Sequence, residues 1–262
     1  MVLLEFNKVS KAFFADRKKK DAFLALDALD IQIHEGEFVC LLGPSGSGKT
    51  VTLSMAAGFL SPTLGTVKYR GETIEGPGPE RGVVFQEYSL MPWMSVKDNV
   101  HFALKESLPK NANLTKEEMK SRVEAALAAV GLSHAADKRP NTLSGGMKQR
   151  VAIARLLAMN SEVFLMDEPF SALDQKNREQ LNETLVKLWK AENKTILFVT
   201  HNIFEAVSIA TRIILFSSSP GRIIKEWNLE GNRNRDMSSA ENQRLIAEIN
   251  EAMPLSSAQD FA

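Results

Sequence analysis

Strand-sized apolar runs that flank a helix-rich stretch place this chain in the α/β class, with a parallel-sheet core and an inserted helical subdomain. Three observations carry that reading. The run FVCLL, ending at Leu42, stops at Gly43, and a helical pattern begins near Lys49. Residues from about 87 to 160 change character and read as helical. Strand-sized runs then return as VFLM, TILFV and RIILF.

The elements follow in order. LLEFNKVSKAF reads as a strand leading to a basic tract, Arg17 to Lys20, that suits either a solvated hairpin tip or a contact with anionic lipid. ALDIQI and EFVCLL are strands separated by His34, Glu35 and Gly36. GTVKYR and RGVVF are further strands, with the Gly76 to Pro79 run Gly-Pro-Gly-Pro as a rigid turn between them. In the helical stretch Thr115 and Glu118 form a capping box, and Met119, Val123, Leu127 and Val130 make an apolar stripe that ends at Gly131. After about residue 231 the chain starts polar, GNRNRD, then shows an amphipathic helix with Leu245, Ile249 and Met253 on one face.

The 262 residues suffice for a large core in one or two domains. Lys+Arg and Asp+Glu are both 32, so net charge gives no reason to expect nucleic acid as a partner. The single cysteine, Cys40, lies in an apolar run, which excludes an internal disulfide and a paired-cysteine zinc site. The N-terminus, with Glu5 and no long apolar core, does not read as a signal peptide. No apolar stretch approaches the ~18–20 residues that span a bilayer, so any membrane role is expected to run through a partner.

Two stretches carry chemistry. Gly43, Pro44, Ser45, Gly46, Ser47, Gly48, Lys49 and Thr50 fit G-x-x-x-x-G-K-[ST] between an apolar strand and a helix. The glycines let backbone N–H groups turn inward around phosphates, Lys49 supplies a positive charge to the β- and γ-phosphates, and Thr50 offers a hydroxyl to Mg²⁺. VFLMDEP, ending at Pro169, is an apolar strand closing in two acids. Asp167 is placed to hold Mg²⁺ through water, and Glu168 to polarise a water for in-line attack on a γ-phosphate.

Other residues are ambiguous alone. Gln86 ends a strand and can reach Mg²⁺ or the attacking water, or merely lie on the surface. His201 follows TILFVT and can be catalytic, packed or a helix cap. Asp174 in SALDQ can cap a helix. In TLSGGMKQRVAIAR, from Thr142, Met147, Val151, Ala154 and Ala158 share one helix face, and Ser144 stands at the N-cap. Gly145 and Gly146 open that helix, whose free N–H groups suit an anion.

Together the Gly-rich loop, Gln86, LSGGMKQR, VFLMDEP, SALD and His201 resemble, in order and spacing, the ATP-binding cassette (ABC) ATPases across residues 1 to about 230. The resemblance implies a P-loop NTPase, RecA-like sheet core with an antiparallel β subdomain and a helical subdomain at about 87–160; the helical tail at 231–262 lies outside it. It implies ATP and Mg²⁺ as cofactors and a second cassette packed head to tail. Ser144, Gly145 and Gly146 would then bind the γ-phosphate held by the partner's loop. It further implies Gln86 as the residue that senses the membrane partner and shares the metal with Thr50 and Asp167. By the same resemblance His201 is the switch histidine, Asp174 lies at the dimer seam, and Glu168 is the base. An aromatic near the N-terminus stacks on adenine in this family; Phe13 takes that place, with Phe14 beside it. Met147 stands where the family usually has Gln, a departure that leaves the anion-binding atoms in place.

The stretch GPGPERGVVFQEYSLMPWMSVKDNV, with GMKQRVAIAR and SSSPGRI, is similar to importers of nitrate, sulfonates and taurine. That implies transmembrane permease subunits, an extracytoplasmic substrate-binding protein and a peripheral place on the cytoplasmic face of the inner membrane. A thiamine-precursor pyrimidine is an alternative cargo. Met91, Pro92, Trp93 and Met94 suit a groove for a permease helix, with Trp93 as a core residue the alternative. A soluble ABC ATPase would carry a long coiled coil or two cassettes, and neither is visible. A phosphotransferase would leave LSGGMKQR and His201 without a role. A binding module with little turnover would not need both Glu168 and His201.

Overall fold

The computed structural model describes residues 1–14, 22–109, 112–229 and 237–253. The chain divides into two compact units, one formed by Met1–Pro77 with Thr195–Ala262 and the other by Gly78–Lys194.

In the first unit β1 (Val2–Phe14) and β2 (Ala22–His34) pair antiparallel, and β4 (Leu64–Tyr69) and the short β5 (Glu72–Thr73) extend the sheet in the order β2-β1-β4-β5. The basic tract Arg17 to Lys20 lies outside the described residues. A second layer holds β3 (Phe38–Leu42), β8 (Thr195–Thr200) and β9 (Arg212–Phe216), with β3 parallel to both neighbours, and β10 (Ile223–Asn228) antiparallel on β9. Every residue of β3 and β8 is buried. Continuous apolar runs of this kind belong to parallel strands covered on both faces. Phe38 and Phe198 pack ring to ring at 6.0 Å between these strands. Cys40 is a buried free thiol. Helix α1 (Lys49–Ala56) follows β3, and α6 (Ile203–Ile209) follows β8.

The second unit contains the parallel pair β6 (Arg81–Val84) and β7 (Val163–Asp167), then α2 (Val96–Ser107), α3 (Lys116–Ala129), α4 (Gly145–Met159) and α5 (Gln175–Glu192). Helices α2, α3 and α4 pack on one another. Both halves of the Thr115–Glu118 capping box form, and Val123, Leu127 and Val130 are buried. The helical stretch begins later than expected: residues 86–95 are irregular, and Ser95 caps α2 with its own box to Asp98. Tyr88 and Ser89, both at positive φ, and Pro92 keep this segment out of a helix.

Two further differences concern the C-terminal part. β10 was not expected, because IIKEWN alternates too weakly to read as a strand. The terminal helix forms as α7 (Ala240–Ala252), but its buried face is Asn242, Ile246 and Ile249. Leu245 and Met253 lie at the margin, since a helix seats its face against the neighbour it meets, here α6.

Candidate functional site

The first unit positions the phosphate loop. Gly43 leaves the buried end of β3, and Gly48 caps α1 in the left-handed region, at φ 83°. Gly48 must be glycine on two counts. A Cβ there would also stand 2.3 Å from Leu26 Cδ2. Lys49 is only 4% exposed. Its ammonium donates to Gly43 O at 2.8 Å, Pro44 O at 2.7 Å and Ser47 Oγ at 3.1 Å, so the charge sits inside the loop. Ser45, Gly46 and Thr50 face solvent. The loop thus places a buried cation and the start of a helix at one exposed rim, an arrangement that binds phosphate.

His201 shares this unit. Leu42 pairs with Thr200 in the parallel β3–β8 register, so Gly43 and His201 leave adjacent strands at their carboxyl ends, where α/β sheets bind ligands. His201 is exposed, and the α6 cap is Asn202, whose side chain accepts from Glu205 N–H at 3.1 Å. The packed and capping alternatives for His201 are therefore not what forms. The Asn202–Glu205 spacing was readable as a helix start and was missed. Phe13 is 39% exposed and pairs with Phe23, three residues along β2 from the Leu26 that touches Gly48. The Lys11 ammonium lies over the Phe13 ring, 5.3 Å from its centroid, and Phe14 is 44% exposed.

The second unit carries the acids and the glycine pair. Val84 pairs with Met166, which brings Gln86 and the Asp167–Glu168 pair to the same end of two parallel strands. Glu168 has φ 41°, a strained position for a non-glycine residue. Its carbonyl accepts from Ser171 N–H at 3.2 Å and Ser171 Oγ at 3.0 Å, which fixes the turn. Ser171 was not anticipated; only its place three residues after Glu168 signals it.

Asp174 caps α5: Asn177 N–H donates to its Oδ1 at 3.1 Å. That backbone bond, then the Asn177 side chain, holds the Asp174 carboxyl below its ordinary range. Ser144 caps α4, accepting from Met147 N–H at 3.3 Å, and remains exposed. A Cβ on Gly145 would meet Leu173 Cδ2 and Tyr88 Oη, each at 3.2 Å, whereas one on Gly146 would meet Asn177 no closer than 3.7 Å. Gly145 is glycine for packing. Gly146 is buried, and a Cβ there would reach only ordinary contact with Asn177. Trp93 is 67% exposed and so is not a core residue.

Comparison with known proteins decides the family. The sequence profile described as ABC transporter matches residues 26–171. The chain belongs to the ABC transporter family. It is 43% identical over 223 residues to the nitrate import ATP-binding protein NrtD of Synechococcus elongatus, covering 85% of this chain and 79% of that one. It is also 43% identical over 207 residues to the bicarbonate transport ATP-binding protein CmpD of the same organism, covering 79% and 73%. A dimeric ATP-binding cassette solved in a post-hydrolysis state with ADP and Pi has TM-score 0.76 and 32% identity, covering 88% of this chain and all of that one. The fold is that of a P-loop NTPase cassette, and the chain is an ATP-binding ABC ATPase.

The donor set suits a hard cation. Thr50 offers a hydroxyl in the first unit, and Asp167 and Gln86 offer a carboxylate and an amide oxygen in the second, the donor types Mg²⁺ takes beside water and phosphate. Among the described residues no group of three or more His, Cys, Asp or Glu would hold a metal.

Proposed function

We propose that this cassette is the ATP-hydrolysing subunit of an importer for a small oxyanion, nitrate first. The observation that carries the reading is that one chain holds both complementary halves of an ATP site: a phosphate loop around a buried lysine, and a helix capped by an exposed Ser144. One chain cannot fold its own signature helix over every nucleotide it holds if two copies pack head to tail; each copy serves the other. Residues 43–50 hold the phosphates, with Lys49 as the charge. Thr50, Gln86 and Asp167 hold Mg²⁺, which when bound neutralises phosphate charge. Glu168 accepts the proton of the attacking water, and His201 donates to the γ-phosphate. Ser144, Gly145 and Gly146 close on the partner's nucleotide, Asp174 lies at the seam, and Phe13 stacks on adenine.

Residues 1–230 make up the ATPase domain, with the helical subdomain at about 87–160, and residues 231–262 follow as a tail whose helix α7 packs on α6. ATP binding favours the closed pair because the γ-phosphate contacts both copies, and hydrolysis releases it. Among the described residues no helix is long and apolar enough to cross a membrane. The cassette works as a peripheral subunit on permease subunits at the cytoplasmic face of the inner membrane, fed by an extracytoplasmic binding protein. Exposed Trp93 supports the groove for a permease helix. The equal identity to NrtD and CmpD favours bicarbonate as the second reading.

Growth of a strain lacking this chain tests the cargo, with nitrate as sole nitrogen source, taurine or an alkanesulfonate as sole sulfur source, and limiting bicarbonate. A defect on nitrate alone, restored by the wild-type chain but not by Glu168→Gln, is the expected result. Normal growth on nitrate would overturn the cargo while leaving the ATPase in place.

A further inference from the structure

The segment after β9 closes against the back of the phosphate loop. Gly221 is buried, and its Cβ would stand 2.1 Å from Ser47 O and 3.0 Å from Leu26 Cδ2. Its φ is not in the left-handed region, so it is space, not backbone conformation, that requires glycine here. The end of β9 meets the loop at its start: a Cβ on Gly43 would lie 3.0 Å from Phe216 O and 3.1 Å from Phe216 Cβ. Leu26 is the shared stop, because it also blocks a Cβ on Gly48.

The wall is itself held. Gly221 N–H donates to Ala25 O at 2.9 Å, and Asp27 N–H donates to Gly221 O at 3.0 Å. Arg222 Nε donates to Asp27 Oδ2 at 2.9 Å. Within the segment Ser217 Oγ donates to Pro220 O at 2.8 Å and accepts from Arg222 N–H at 2.9 Å. Ser47, the residue the wall touches, accepts from the Lys49 ammonium. A shift of the Ser47 peptide therefore moves the charge that meets the phosphates.

We infer that Gly221 is a positioning residue for nucleotide binding, and that Ser217–Arg222 is a wall that sets the shape of the phosphate loop without touching the ligand. This rests on the loop's role as the ATP site. A methyl at position 221 cannot be relieved by a side-chain rotation, because the atom it meets is backbone. The Ser47 carbonyl must move by about 1 Å, enough for a 10- to 100-fold loss where ligand geometry is tight.

The test measures ATP affinity per folded molecule in the full-length chain, by displacement of a fluorescent ATP analogue, alongside KM for ATP and thermal melting. Gly221→Ala is expected to weaken ATP binding about tenfold or more and to raise KM by the same factor. Gly76→Ala, where a Cβ meets nothing within 4 Å, is the control and should match wild type. Ser217→Ala removes the internal brace without adding bulk and should weaken binding about threefold. Wild-type affinity per folded Gly221→Ala would overturn the inference. If that variant does not fold, wild-type affinity in Ser217→Ala would overturn it. A wild-type chain with no ATP affinity would instead overturn the nucleotide reading, and this inference with it.

Discussion

Glu168, the proposed base, sits in a strained backbone conformation. Positive φ at a non-glycine residue costs of order 1–3 kcal/mol, and such outliers gather where a side chain must be aimed. With Ser171 holding its carbonyl, the carboxylate is presented by a turn rather than by the strand. Glu168→Gln keeps the shape and removes the base. It should bind ATP as wild type does and lower turnover at least about a hundredfold, at the low end for general-base loss; hydrolysis at the wild-type rate would remove Glu168 from that role. Lys49→Ala should abolish ATP binding in the same titration, because it takes away the ammonium that donates to the loop's carbonyls at Gly43 and Pro44. The phosphate loop and the two acids were legible because each needs particular residue types at fixed spacing. Ser171 and Gly221 were not, since a serine after a turn and a glycine after a proline have many ordinary uses. Only the distances to Glu168 O and Ser47 O give them a role.

Elements explain which sequence signals could be trusted. The Thr115–Glu118 box is local, so its residues alone define it, and it forms as expected. Thr115 backbone N–H, then its hydroxyl, hold the Glu118 carboxyl below its ordinary range. Its folded value is depressed, so the contribution is present above the unfolded value of about 4.3 and is lost as pH falls through the lower folded value. Glu118→Ala should therefore lower the melting temperature at pH 7, with the gap to wild type narrowing as pH falls below the unfolded value. A gap that does not narrow would sink this account of the cap. Strand β3 is the opposite case, because its stability is tertiary. Leu41→Ala should cost about 2–5 kcal/mol in denaturant unfolding, since the side chain is fully buried in a parallel layer. The α7 face was misjudged by one position and β10 was missed for the same physical reason: both are set by the neighbour they pack on, which a local pattern does not name.

At the scale of the whole molecule, the proposed ATP-site residues are divided between two units. One carries the phosphate loop, Phe13 and His201; the other carries Gln86, the signature helix and both acids. Family membership was legible because six motifs in order constrain a chain far more than any one of them. Cargo was not, because no residue of the cassette is proposed to touch it. Zero net charge gives no reason for binding to nucleic acid or to an anionic surface by charge alone, and membrane attachment should need the permease. The central claim is that two copies complete each other's ATP site. It is tested most directly by the mass of the Glu168→Gln chain in solution, measured by light scattering with and without ATP and Mg²⁺. The account predicts a monomer without nucleotide and a dimer with it, the dimer lost again when Ser144 is replaced by Arg. A chain that binds ATP to saturation and stays a monomer would contradict it.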